Sequence, residues 1–95
     1  MTEKERKEKI SPLVFAYLLK SCPYSQQMSQ WLPSSQKKWV NRGSSRYFQF
    51  KEQYQSPTYP IVLHDGKLVP GGYTTFIQHS SLFLKKQITK RNKYE

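Results

Sequence analysis

The residue with the clearest capacity for chemistry is Cys22, the single cysteine of the 95-residue chain. A short apolar run precedes it and Pro23 follows it, so the thiol falls between a predicted strand and the first turn of a predicted helix. The unpaired backbone N–H groups and the helix dipole at such a position favour the thiolate, the nucleophilic form of cysteine. Lys20 adds a positive charge two residues upstream. These features predict a reactive thiol.

Other kinds of chemistry have little support in the composition. One cysteine cannot form a disulfide within the chain, which excludes a disulfide-stapled scaffold. With one cysteine, two histidines (His64 and His79) and few carboxylates, no metal site is expected. No apolar run approaches the roughly 18 residues of a membrane-spanning helix, and the charged start does not read as a secretory signal. We therefore expect a cytoplasmic protein that does not bind membranes.

The elements that must position the thiol begin with an apolar run at residues 13–19, which predicts a strand buried on both faces. A helix then begins at Pro23 and ends near Pro33. The side chains expected to face inward after Pro23 are Met28, Trp31 and Leu32. Residues 37–40 predict a second strand, in which Trp39 is expected to be a core residue.

The second half of the chain predicts two further helices and a hairpin. Ser44 or Ser45 is the expected N-cap of a helix with aromatic residues at helical spacing. Asp65-Gly66 lies between two apolar runs and predicts a type I′ hairpin turn. Thr74 or Thr75 is expected to start the last helix. Its predicted inward-facing side chains are Phe76, Ile77, Leu84 and Ile88.

This order of elements predicts an α/β fold with a mixed four-stranded sheet and flanking helices. Residues 1–10 form a charged lead-in, residues 11–89 the single domain and residues 90–95 a basic tail.

Three segments of the sequence resemble the glutaredoxin family. The first, residues 22–25, reads Cys-Pro-Tyr-Ser and matches the active-site pattern C-P-Y-C or C-P-Y-S. The second, residues 58–60, reads Thr-Tyr-Pro and resembles the T-V-P segment, which carries a cis proline. The third, residues 71–75, resembles the G-G-C-D-D or G-G-Y-x-D segment. The three occur in the family's order and at nearly its spacing, over about residues 12–88.

The resemblance implies a thioredoxin-like fold and glutathione as co-substrate. Cys22 would take the glutathionyl group from a protein–glutathione mixed disulfide, and a second glutathione would release it. The implied active-site residues are Cys22, Pro23, Tyr24 and Ser25. The implied glutathione-binding residues are Lys20, Thr58, Tyr59, Pro60, Gly72, Tyr73, Thr74 and Thr75.

The sequence departs from the family pattern at three places. Ser25 replaces the second active-site cysteine, so the implied mechanism uses one thiol. Thr74 and Thr75 stand where the family holds the γ-glutamyl group partly with an acidic side chain, which implies weaker glutathione binding. Leu19 stands where the family usually has a lysine, and Lys20 is shifted from that place by one residue.

Two other functions remain open at this stage. The net charge of +10 attracts anions such as nucleic acid and acidic proteins, so a catalytically weak binding module is the main alternative. An iron–sulfur carrier, in which two chains share a cluster through Cys22 and glutathione, is a third possibility. Carriers of that kind typically have C-G-F-S, and Pro23 and Tyr24 depart from it. The expected partners are glutathione and glutathionylated proteins, and the expected state is a monomer.

Overall fold

A mixed four-stranded sheet lies at the centre of the computed structural model, which describes residues 2–85. The strand order is β2-β1-β3-β4, in which β1 and β2 are parallel and the other neighbours are antiparallel. The strands are β1 (Val14–Leu19), β2 (Lys37–Val40), β3 (Ile61–His64) and β4 (Lys67–Leu68). The predicted mixed four-stranded sheet with one parallel pair is confirmed.

Four α-helices flank this sheet. They are α1 (Glu3–Lys9), α2 (Pro23–Ser29), α3 (Ser45–Gln53) and α4 (Gly72–Gln78). Pro23 occupies the first turn of α2 as predicted. Proline is favoured there because the N–H that it lacks would have no hydrogen-bond partner within the helix. Ser44 caps α3 by accepting a hydrogen bond from the N–H of Tyr47. Short 3₁₀ turns lie before β2, at Ser34–Gln36, and after α4, at Ser80–Phe83.

The two faces of the sheet carry separate hydrophobic clusters. Side chains alternate along β1, so that Val14, Ala16 and Leu18 pack in the cluster that includes Met28 of α2 and Phe76 of α4. The opposite face packs against α3 through a cluster rich in aromatic rings. Its members include Leu19, Val40, Tyr59, Ile61, Tyr17, Tyr47, Phe50 and Tyr54. The expectation of full burial on both faces of β1 holds only for the first face, because Phe15 and Tyr17 are half-buried.

The β3–β4 hairpin forms as predicted. Asp65 and Gly66 have φ angles of +54° and +79°, the positive values that a type I′ turn requires at both central residues. The turn lies at the amino end of β1, where the N–H of Asp65 donates to the carbonyl of Leu13.

The structure corrects the predicted start of the last helix. Helix α4 begins at Gly72 rather than at Thr74 or Thr75, since Gly71 adopts a left-handed conformation (φ +83°) that lets the chain turn into the helix earlier. Phe76 is fully buried as predicted, but the prediction for Ile77 is wrong, because its side chain is 42% exposed. Leu84 packs against the core, whereas Ile88 and the basic tail lie outside the described residues.

Trp39 is also not the core residue that was predicted. It lies on β2, which is an edge strand, and it is 37% exposed. Trp31, by contrast, is buried in the first cluster.

The charged lead-in is an ordered helix that leads into the core. Thr2 and Glu5 form a capping box at the start of α1. Arg6 binds the side chain of Gln30 at 2.7 Å and lies over the ring of Trp31. Ile10, which follows α1, is 1% exposed and forms a β-bridge with Leu84, so this residue packs with the domain that it precedes.

Within residues 2–85, no helix combines the length and the apolar composition needed to cross a bilayer.

Replacement of Ile10 by alanine should lower the free energy of unfolding by about 2–5 kcal/mol, because it removes a fully buried side chain from the core. The matched control is Leu13→Ala, which removes an aliphatic side chain that is 51% exposed and should cost less than about 1 kcal/mol. Urea denaturation of both variants measures the difference. If Ile10→Ala costs as little free energy of unfolding as Leu13→Ala, then Ile10 contributes no more to the core than a surface residue does.

Candidate functional site

Cys22 lies at the junction between β1 and α2, as the N-cap residue of that helix. Its N–H donates to the carbonyl of Leu19 at 3.1 Å, which turns the chain out of the strand. The backbone of Cys22 is extended, and its side chain makes no capping hydrogen bond. The thiol is half-buried, so it is accessible without being fully solvated.

The loop before β3 approaches the thiol directly. The Sγ atom of Cys22 lies 3.9 Å from the carbonyl oxygen of Tyr59. The peptide bond between Tyr59 and Pro60 is cis, as the sequence comparison with the T-V-P segment led us to expect. Among residues 2–85, the N–H of Tyr59 has no hydrogen-bond partner. The backbone of Tyr59 therefore offers a donor to a ligand beside the thiol.

The side chain of Tyr59 holds this loop against α3. Its hydroxyl donates to the carbonyl oxygen of Tyr47 at 2.8 Å, and the two rings stack 5.0 Å apart at 12°. Burial, and then the neighbouring Tyr47 and Tyr17, raise the pKa of the Tyr59 hydroxyl to about 12. The hydroxyl therefore remains a neutral donor at physiological pH. The sequence predicts Tyr47 only as one of the aromatic residues of a helix. The structure shows that it also holds the loop that carries Tyr59.

The start of α4 closes the other side of the site. A Cβ atom added at Gly72 would lie 2.8 Å from the carbonyl oxygen of Pro60, so only glycine allows this close approach. At Gly71, the position of an added Cβ is occupied by the Oγ1 atom of Thr75. The two glycines thus bring the α4 turn against the Pro60 loop.

These three segments together form a groove of about 200 Å³. Its lining residues are Tyr24, Thr58, Tyr59, Pro60, Gly71, Gly72, Tyr73 and Thr74. Seven of them were predicted as site residues, and Gly71 was missed even though it belongs to the matched segment. Tyr24 is 56% exposed, and its ring lies 6.3 Å from that of the buried Tyr73. No lining residue is charged, so the groups that the groove offers to a ligand are backbone groups, hydroxyls and aromatic rings.

Other predicted site residues lie outside the groove lining, among them Cys22, whose thiol is next to the groove through the carbonyl of Tyr59. Ser25 is fully buried, and its Oγ atom accepts a hydrogen bond from the N–H of Leu19 at 3.0 Å. This bond ties α2 to the end of β1, which gives Ser25 a structural role. Thr75 is half-buried beneath the α4 turn. Pro23 is exposed at the start of α2.

Lys20 is exposed directly after β1. Its carbonyl accepts a hydrogen bond from the side chain of Gln26 at 2.6 Å, which fixes the backbone between β1 and α2. Lys37, another cation of this half of the chain, donates to the carbonyl of Ser29, and burial lowers its pKa. Lys37 is therefore tied to the far end of α2.

Neither histidine lies at this site. The ring of His64 packs edge-on against Phe83, and His79 is exposed at the end of α4. Within the described part of the chain, no group of three histidine, cysteine or acidic residues is arranged to hold a metal ion.

Comparison of the chain with protein-family models, with curated proteins and with solved structures gives no match.

The raised pKa of Tyr59 predicts a loss of stability at high pH. The unfolded chain ionises this hydroxyl near pH 10, whereas the folded chain resists ionisation until about pH 12. Its contribution is thus fully present below pH 10 and is lost as the pH rises through that interval. Between pH 10 and 12, the free energy of unfolding should fall by about 2 kcal/mol more in the wild type than in Tyr59→Phe.

Denaturation in urea at a series of pH values measures this difference. Tyr24→Phe is the control, because the exposed Tyr24 side chain should leave the slope at its wild-type value. Parallel profiles for wild type and Tyr59→Phe would contradict the assigned role of the Tyr59 hydroxyl.

Proposed function

We propose that the chain is a glutathione-dependent thiol oxidoreductase of the glutaredoxin type, with a thioredoxin-like fold, that removes glutathione from protein mixed disulfides. The observation that carries this proposal is the position of the Cys22 thiol, 3.9 Å from the Tyr59 carbonyl at the edge of the groove. The residues of the three matched segments, far apart in sequence, meet at this one place.

The proposed reaction proceeds in two thiol–disulfide exchanges. The Cys22 thiolate attacks the glutathionyl sulfur of the mixed disulfide, the S–S bond breaks, and the protein thiolate leaves and takes up a proton. A glutathione thiolate then attacks the glutathionyl sulfur held on Cys22, which releases glutathione disulfide and restores the Cys22 thiolate. Both electrons that reduce the protein thus come from glutathione.

The groove supports binding of the glutathionyl group in an extended conformation. The Tyr59 N–H is available to pair with the ligand backbone as a neighbouring strand would, and the first turn of α4 supplies further N–H groups. Thr74 lines the groove in place of an acidic residue. The ammonium group of glutathione therefore has no carboxylate partner in the groove, which is consistent with weak binding.

Ser25 supports a reaction that uses a single thiol. Its Oγ atom binds the N–H of Leu19, so the position that holds a second cysteine in dithiol members of the family serves here to join α2 to β1. Reduction of protein disulfides by an internal dithiol is thus closed to one chain, whereas removal of glutathione needs only Cys22.

The decisive experiment is a coupled assay that follows reduction of a small glutathione mixed disulfide. Wild-type protein should turn over in the presence of glutathione, and Cys22→Ser should fall to the uncatalysed rate because it lacks the nucleophile. Ser21→Ala, a change at the exposed neighbouring residue, is the control and should retain activity. A folded wild-type protein without turnover would refute the proposed activity.

A second experiment tests the missing carboxylate. Thr74→Asp should lower the KM for glutathione about threefold, because a partly exposed ion pair with the ammonium contributes about 0.6 kcal/mol. Gln78→Asp is the matched control and should bring no improvement, because this exposed residue lies at the far end of α4, outside the groove lining. A KM that is unchanged by Thr74→Asp would contradict this account of glutathione binding.

A further inference from the structure

Acidic residues are absent from the part of the chain that surrounds the thiol. Residues 9–51 contain seven lysines and arginines and no aspartate or glutamate. This stretch includes β1, α2, β2 and the start of α3. The stretch therefore supplies no acidic side chain of its own to offset its surface charge.

The topology brings part of this charge to the end of the sheet where Cys22 lies. Strands β1 and β2 are parallel, and their last residues, Leu19 and Val40, are in register. Cys22 follows the end of one strand by three residues, and Arg42 follows the end of the other by two. The loop between β2 and α3 therefore lies beside the loop that carries the thiol.

Three exposed side chains define what we call the β2 surface: Trp39, Arg42 and Arg46. Trp39 and Arg46 line a cavity of about 390 Å³ between the end of β2 and the start of α3. The polar residues that complete the cavity are Asn41, Ser44 and Ser45. The surface thus combines a partly exposed aromatic ring with two arginines, of which Arg46 lines the cavity.

The cations of the β2 surface have no acidic partner within the described residues. The one ion pair between side chains of residues 2–85 joins Lys7 to Glu3 in α1. The first turn of α3, next to Arg46, also carries no acidic residue. The positive end of this helix dipole adds to the field of the arginines.

We propose that the β2 surface docks acidic segments next to the glutathionylated cysteine of a protein substrate, so that acidic proteins are the preferred substrate class. This inference rests on the proposed function. The charges would speed encounter with an acidic protein, and Trp39 with the arginines would supply the residue types that anchor interfaces. The surface lies beside the thiol, which favours a substrate that reacts with Cys22 over nucleic acid. Nucleic acid does not react with a thiol, so its binding would not require a surface at this place.

The test compares two glutathionylated peptides that are identical except for glutamates or lysines flanking the cysteine. At low ionic strength, kcat/KM should be about tenfold higher for the glutamate peptide, and added salt should remove the difference. Arg46→Glu should lower kcat/KM for the glutamate peptide about fivefold, mainly through KM, and should leave the small mixed disulfide unaffected.

Lys67→Glu is the matched control, because it makes a similar charge reversal at the hairpin turn, which lies at the opposite end of β1. It should change kcat/KM less than about twofold for either peptide, since Coulomb interactions weaken with distance and Lys67 lies far from a peptide docked at the thiol. Equal losses in Arg46→Glu and Lys67→Glu would show an effect of net charge alone and overturn the proposal.

The remaining outcomes separate this inference from the proposed function. Turnover of the small disulfide with no preference between the peptides would overturn the inference and leave the function standing. Absence of turnover on the small disulfide would overturn both. If Arg46→Glu lowers kcat/KM equally for the small disulfide and for the peptide, then Arg46 acts on the glutathionyl group and not on the flanking residues, which would overturn the inference. Binding of a single-stranded oligonucleotide that depends on Arg46, without discrimination between the peptides, would assign the β2 surface to nucleic acid.

Discussion

The close approach between the first turn of α4 and the Pro60 loop is the constraint on which the candidate site depends. Gly72 leaves no room for a side chain next to the Pro60 carbonyl, and this contact fixes the distance between the loop and the helix. Tyr59 secures the other side of the same loop through its hydrogen bond and its stacked ring on Tyr47. Because the loop is held from both sides, the Tyr59 carbonyl is held beside the Cys22 thiol.

The two faces of the sheet have different parts in this arrangement. The first cluster, with α2 and α4, combines aliphatic and aromatic side chains and is fully buried around Leu18 and Phe76, so it fixes the two helix starts that form the groove. The second cluster is built largely from aromatic rings that are half-buried, among them Tyr17 stacked on Phe50 at 4.1 Å. Because these rings are large, one short helix is enough to cover this face of the sheet, which suits a chain with few residues for a core.

The charge distribution complements this geometry. The groove lining itself is uncharged, whereas the adjoining loops after β1 and β2 carry exposed cations. In the proposed function, this arrangement would separate recognition of the glutathionyl group, by backbone and aromatic contacts, from attraction of the protein that carries it, by long-range charge. The proposed function and the proposed substrate class both follow from that division.

Local patterns in the sequence determined most of the elements, and the resemblance of three segments to a known family indicated most residues of the groove. The apolar run before Cys22, the Asp65-Gly66 turn and the Ser44 cap all depend on the preferences of a few neighbouring residues, and the structure contains each of them. Tertiary contacts decided the rest. Whether Trp39 is buried depends on β2 being an edge strand, and whether Ile10 is buried depends on Leu84, far along the chain. The role of Ser25 likewise depends on which group its hydroxyl meets, and it meets the N–H of Leu19. Burial and hydrogen-bond partners are properties of packing between distant segments, and a local pattern does not contain them.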